Sequence, residues 1–277
     1  MLQWLLPDFP AENLLLNGMF CYICNGLVLV QRHLEQATER CAIIFKNCNK
    51  NPDYLKLKIC LYLYMQNNLK YELHNILSGK SEVRFGTIIQ TIASYLKNGE
   101  TTSRAIEDEK HLKIEETKKL ENYISQNNLW IKDIDHSQYV SEGAEQKVYL
   151  KDSENVLKLN DSIYYTSWKD YFYNLLLHNY FFPDTAYELI GFTKDNDVLY
   201  CIVQQAYVSI TENTNLNQVK TFLTQNGFEN NRNNDYINHE LGIILEDLHD
   251  ENVLTRNEIL YFIDTVFYIT EKFWSEK

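Results

Sequence analysis

Near the C-terminal end, three residues are spaced as a metal-and-base set. In the string ILEDLHDENVLTRNEILYFIDTVFY, Ile244 to Tyr268, Asp247 precedes Asn252 by five residues and Asn252 precedes Asp264 by twelve. A hairpin between Asn252 and Asp264 would let both side chains converge on one divalent cation, which takes carboxylate and amide oxygens as ligands. Asp247 would then face an incoming hydroxyl and accept its proton. Phosphoryl transfer needs that combination. A fourth residue, Lys158 in VLKLN, sits in an apolar strand, where an ammonium is costly unless an anion pairs with it.

Taken singly, each of these residues has a plainer reading. Lys158 reads as a solubilising charge on an edge strand, Asp247 as a solvated loop carboxylate, and Asn252 and Asp264 as turn residues. Gly143 alone says nothing. Order and spacing together favour the site.

The elements that must position these residues follow from periodicity. Short runs rich in Val, Ile, Leu and Tyr, bounded by polar turns, predict strands over Gln146–Leu150, Val156–Leu159, Tyr187–Phe192 and Val198–Gln204. A helix is expected over Ser167–Phe182, stopped by Pro183, and a short one near Leu216–Thr224. The stretch after it reads as loop until the apolar Gly242–Ile244. Val253–Leu254 and Ile259–Ile263 form a hairpin turning at Thr255–Glu258. The whole is a five-stranded sheet with one helix, followed by a hairpin bearing the polar set.

The first half reads as helical. Leu27, Val30, Leu34 and Ala37 recur at helical spacing, Tyr54 to Tyr71 carries a second apolar face, and Phe85 to Leu96 a third, ended by Asn98-Gly99. Thr102 to Gln126 is charge-rich and reads as a solvated helix or a helical linker. The apolar run Leu14 to Val30 lacks a preceding cation and is interrupted by Asn17, Gly18, Asn25 and Gly26, so a buried helix is expected rather than a signal or a membrane span. The chain carries six cysteines. Cys21 and Cys24, with His33, Cys41 and Cys48, have the loose outline of a zinc site, but buried free thiols in a reducing, cytoplasmic compartment are the expectation. The formal charge of −12 and the absence of a basic run argue against a nucleic-acid partner.

The interval from Asp247 to Asn252, and the later Asp264, resemble the H-R-D-x-x-x-x-N loop and D-F-G turn of protein kinases. More closely, YVSEGAEQKVYL, VLKLN, LLLHNYFFPDTAYELIGF and the Gly242–Tyr268 string resemble the kinase domains of polyvalent proteins of phages and other mobile elements, over about Trp130 to Phe267. The resemblance implies an α+β fold: a helical region, 1–125, before a minimal kinase-like ATP-binding domain, 126–277, with a truncated C-terminal lobe. It implies ATP and Mg2+, with Asp247 and Lys158 catalytic, Asn252 and Asp264 as metal ligands, and Gly143, Val148, Lys158, Gln204 and Ala206 contacting the nucleotide. It also implies a protein or small-molecule phosphoacceptor. His249, in the run D-L-H-x-x-N, is similar to the D-x-H-x-x-N loop of aminoglycoside-type phosphotransferases, which leaves the substrate class open.

Departures from the kinase pattern are concrete. YVSEGAEQKVYL, which resembles a shortened glycine-rich lid, has one glycine and carries Glu142 and Glu145; Leu245 and Glu246 stand before the aspartate; Asp264-Thr265-Val266 replaces D-F-G. The helix Ser167–Phe182 has no glutamate to pair with Lys158, Asp170 being the nearest acid, and His178 in it reads as a packed helix residue. Thirteen residues follow Asp264, so the N-terminal helices are expected to pack beneath the cleft in place of a lobe. An active kinase, a nucleotide-binding module without turnover, and a helical interaction protein are the three readings the sequence leaves.

Overall fold

The computed structural model describes residues 68–97, 109–143 and 146–275. The 14–30 run, the cysteines from Cys21 to Cys60, Glu145 and the Asn98-Gly99 turn lie outside them. Among the described residues three helices precede the strands: α1 (68–77), α2 (Gly86–Lys97) and α3 (Glu109–Gln126). Then β1 (Tyr139–Glu142), β2 (Gln146–Leu150) and β3 (Asn155–Asn160) lead into α4 (Trp168–Phe181), followed by β4 (Glu188–Asp195) and β5 (Val198–Ala206). These strands form one antiparallel sheet in the order β1-β2-β3-β5-β4.

Local chemistry explains the boundaries. Ser167 caps α4, its Oγ accepting from the Asp170 N–H at 3.0 Å. Pro183, which has no N–H and disfavours helix in the residue before it, follows its end. The β4–β5 turn places Asn196 and Asp197 at positive φ, 49° and 64°, which suits a two-residue hairpin and residue types that tolerate it. Where β4 passes the 129–131 segment, glycine is required: a Cβ on Gly191 would lie 2.6 Å from the Leu129 carbonyl oxygen. Phe192 then pairs on both sides, donating to Leu129 and accepting from Ile131.

α4 is apolar around most of its circumference because it is enclosed. Trp168, Phe172 and Leu176 belong to one core with Ile89, Ile92 and Leu96 of α2, Leu120 and Ile124 of α3, and Phe192 and Val203 of the sheet. The core therefore runs from the first helices into the sheet without a break. The helices pack on α4 and on the C-terminal segment, where His74 of α1 reaches the Phe273 carbonyl at 2.7 Å. Cys201 is buried and unbridged, and burial pushes its thiol pKa up.

The rest comprises α5 (Leu216–Gln225), strands β6 (Glu229–Arg232), β7 (Asp235–Asn238) and β8 (Ile243–Glu246), the hairpin β9 (Val253–Arg256) and β10 (Ile259–Phe262), β11 (Val266–Ile269) and α6 (Glu271–Trp274). β11, β8, β7 and β6 form a second antiparallel sheet. The fold is thus α+β. β6 and β7 occupy the stretch expected as loop: β6 has no β-branched or aromatic residue and β7 only Tyr236 and Ile237 between polar ends, and pairing of β7 with β8, and of β6 with β7, decides their state. The β9–β10 turn falls at Asn257 and Glu258, both at positive φ, within the expected window. Among the described residues no helix is long and apolar enough to cross a membrane.

Candidate active site

Side-chain parity in the first sheet fixes which residues share a face. Lys158 of β3 is directly opposite Val148 of β2 and Val203 of β5, so these three point to one side. Only 3% of the Lys158 side chain is exposed, and its Nζ lies 2.6 Å from Asp264 Oδ1, itself 21% exposed. The ammonium also donates to the Ile263 carbonyl at 3.1 Å and stands 5.7 Å from the centre of the Tyr187 ring. The buried cation thus has the anion that its strand position demanded. Asp170 is engaged with Ser167 at the start of α4 and leaves this place to Asp264.

The Asp264 segment is held from several directions. Tyr187, at the entrance to β4, donates its hydroxyl to the Ile263 carbonyl at 2.5 Å and lies 3.4 Å from Asp264 Oδ1. Thr185 Oγ1 donates to the Phe262 carbonyl at 2.5 Å. On the other side, the Ile263 N–H donates to the Asn252 carbonyl at 2.9 Å. That bond joins the Lys158–Asp264 pair to the second half of the site.

The second half is the loop from Asp247 to Asn252. Asp247 is at φ +65°, a left-handed conformation that Asp tolerates better than most residues. Its N–H donates to Asp235 Oδ1 at 3.2 Å, and the Leu248 N–H donates to the Asn234 carbonyl at 3.2 Å, so the β6–β7 hairpin is the loop's anchor. Asn252 Nδ2 donates to the Asp247 carbonyl and to Asp247 Oδ2, both at 2.9 Å. His249 Nδ1 accepts from the Glu251 N–H at 3.2 Å, and its Nε2 lies 3.1 Å from Asn252 Nδ2 and 3.3 Å from Asp247 Oδ1. Asp247 Oδ2 is thereby oriented by Asn252, with His249 beside Oδ1, while the side chain remains 58% exposed. Burial, then the neighbouring Asp235, raises the pKa of Glu246 beside it.

The remaining candidates, Val148 excepted, lie apart from this centre. Gly143 closes the β1–β2 turn, donating to the Gln146 carbonyl at 2.9 Å. Val148 flanks Lys158. Gln204 and Ala206 pair with Leu157 and Asn155, so their side chains lie on the face opposite Lys158. Gln204 there accepts from Lys151 and donates to Asn155. Gln205 takes the Lys158 face, buried and donating to the Thr185 carbonyl at 2.7 Å. Tyr187, Thr185 and Thr265 carry no motif spacing, and only the contacts reveal them.

The residues present suit a divalent cation such as Mg2+. Asn252 spends its nitrogen on Asp247, and among the described residues its Oδ1 accepts no hydrogen bond, nor does Asp264 Oδ2. Both are hard oxygen donors of the kind Mg2+ takes. No curated protein and no solved structure matches the chain. A family model does: that of the serine/threonine/tyrosine kinases found in polyvalent proteins, over residues 113–271. Matched over more than half of its 277 residues, the chain belongs to that kinase family.

Proposed function

We propose that the protein is an ATP-dependent phosphotransferase that moves the γ-phosphate to a hydroxyl of a protein or small molecule. The observation that carries this reading is the hydrogen bond between Asn252 and Ile263, which sets the Lys158–Asp264 pair beside the Asp247–His249–Asn252 loop. Lys158 binds phosphate by exchanging one anion, the Asp264 carboxylate, for another. Asp264 and Asn252 would hold Mg2+, which when bound supplies neutralisation of the phosphate charge. Asp247, held at Oδ2 by Asn252 yet open to solvent, accepts the proton of the acceptor hydroxyl. The acceptor oxygen forms the new P–O bond as the bond between the γ-phosphorus and the β–γ bridging oxygen breaks, leaving ADP.

The test is transfer of labelled γ-phosphate, in the presence of Mg2+, to the protein itself, to proteins of a host lysate and to hydroxyl-bearing small molecules. Asp247→Asn is expected to lower transfer by about 10²–10⁴-fold, the range of a positioned base. A second reading is nucleotide binding without turnover. What favours it is that Lys158 takes Asp264 itself as partner, α4 offering no glutamate, and that β1 is exposed throughout and carries Glu142. Stabilisation by Mg-ATP with no transfer to any acceptor would select the second reading.

A further inference from the structure

α4 has no glutamate for Lys158, yet it grips the segment that bears Asp264. The His178 imidazole is fully buried in α4. Its Nε2 lies 2.9 Å from the Thr185 carbonyl, an acceptor only, so the ring proton is on Nε2. Its Nδ1 must then accept, and at 2.6 Å it takes the hydroxyl proton of Thr265, the residue after Asp264. One turn earlier, Asn174 Oδ1 accepts from the Phe267 N–H at 2.8 Å. The Thr185 hydroxyl holds the Phe262 carbonyl. The backbone on both sides of Asp264 is thus tied to α4 and to the turn that follows it.

The charged neighbours of the imidazole are Lys158 and Asp264. Burial is the largest influence on it and lowers its pKa to about 3. The ring is therefore neutral, with a fixed tautomer, across the range in which the protein would work. It touches no candidate reacting atom. Its polar contacts are with Thr185 on one side and the Thr265 hydroxyl on the other.

We infer that His178 and Thr265 are positioning residues for Asp264, through which α4 sets the direction of the magnesium-binding carboxylate without contacting Lys158. The inference rests on the phosphotransferase reading for its consequence in turnover, but its structural half stands by itself. Thr265→Val keeps the side chain's shape and removes the proton that His178 receives; Thr265→Ser keeps that proton. Amide hydrogen exchange over 262–267, measured on the full chain without nucleotide, is expected to rise about tenfold or more in Thr265→Val and to remain near the parent in Thr265→Ser. In transfer assays the Val variant is expected to need about tenfold more Mg2+ for half-maximal rate, with kcat lowered and the KM for ATP little changed.

Equal exchange in all three proteins overturns the inference. A Val variant that merely melts earlier, with the Mg2+ requirement unchanged, makes the contact one of packing and also overturns it. A parent that transfers no phosphate, while exchange separates Val from Ser, rejects the phosphotransferase reading and keeps the positioning role.

Discussion

The exposures of Lys158 and Asp264 are unequal, and the two halves of the pair should therefore respond unequally to removal. Asp264→Ala would leave an ammonium that is 3% exposed with one carbonyl, that of Ile263 at 3.1 Å. Stripping one partner from a buried pair costs about 3–5 kcal/mol. Because the carboxylate side is 21% exposed and water can enter there, the lower end applies, about 3 kcal/mol. Lys158→Met removes the buried charge and keeps most of the stem's volume. It leaves a carboxylate near solvent with the Tyr187 hydroxyl at 3.4 Å, so a cost of about 1 kcal/mol is expected. The double variant should resemble Lys158→Met, giving a coupling energy of about 2–3 kcal/mol. Urea denaturation of the full chain, without nucleotide, measures all four corners. Added salt should leave the Asp264→Ala deficit largely intact, since a buried pair is poorly screened. If Asp264→Ala loses less stability than Lys158→Met, the reasoning fails, because the ammonium would then be solvated.

Four further outcomes follow from single contacts. His178, buried and neutral with a pKa lowered from 6.5 to about 3, contributes stability that is complete above its ordinary value and is lost as pH falls toward 3. The loss is at most about 1.4 kcal/mol per pH unit, and its ring resonances should not titrate between about pH 5 and 8, where a solvated histidine would. Glu116 of α3 has its pKa raised from 4.5, burial being the largest cause, against the Trp168 and Lys169 N–H groups that it accepts. The folded state holds that proton more tightly, so stability falls as pH rises through 4.5 toward the raised value and is flat above it. Urea midpoints should show Glu116→Gln gaining on the parent across that window, and a constant difference would refute the assignment. Gly191→Ala would bring a Cβ to 2.7 Å from Ile131 Cγ1 as well as against the Leu129 carbonyl; a loss of about 1–3 kcal/mol in urea denaturation is expected. Because Lys158 and Asp264 occupy each other, Mg2+ should tighten ATP binding and ATP should tighten Mg2+ binding by the same factor. Calorimetry should find that coupling weakened in Lys158→Met.

Much of this was legible in the residue order. The windows for β2, β3 and β5 and for α4 hold to within a residue or two, because alternation, Ser167 and Pro183 are local signals. β6 and β7 were not legible, since β6 is wholly polar and the two strand-type residues of β7, Tyr236 and Ile237, are too short a run to outweigh the polar residues around them until β8 supplies a partner. The intervals among Asp247, Asn252 and Asp264 placed those residues in one region, as contact through Ile263 shows. Which residue neutralises Lys158 was hidden, because Asp264 is separated from it by 106 positions and only the packed fold closes that distance. Gln204 and Gln205 show the same limit. Adjacent in sequence, they lie on opposite faces, and the register against β3 decides which one looks toward Lys158.

The family match begins at 113, and the contacts supply a physical reason for α3 to belong with the sheet. Lys113 donates to the Ser162 and Tyr165 carbonyls, at 2.5 and 2.8 Å, in the connection between β3 and α4. One turn later, Glu116 accepts the first N–H groups of α4 at 2.6 and 3.2 Å, where an anion also meets the helix dipole favourably. α4 is therefore held at its N-terminal end by α3 and near its C-terminal end by the Asp264 segment, through His178 and Asn174. A helix so fixed at both ends transmits displacement rather than absorbing it, because close-packed cores shift between discrete arrangements. α4 can thus orient the Asp264 carboxylate without offering Lys158 an anion of its own. A change at Glu116, far along the chain from Asp264, acts on the same rigid element that orients it.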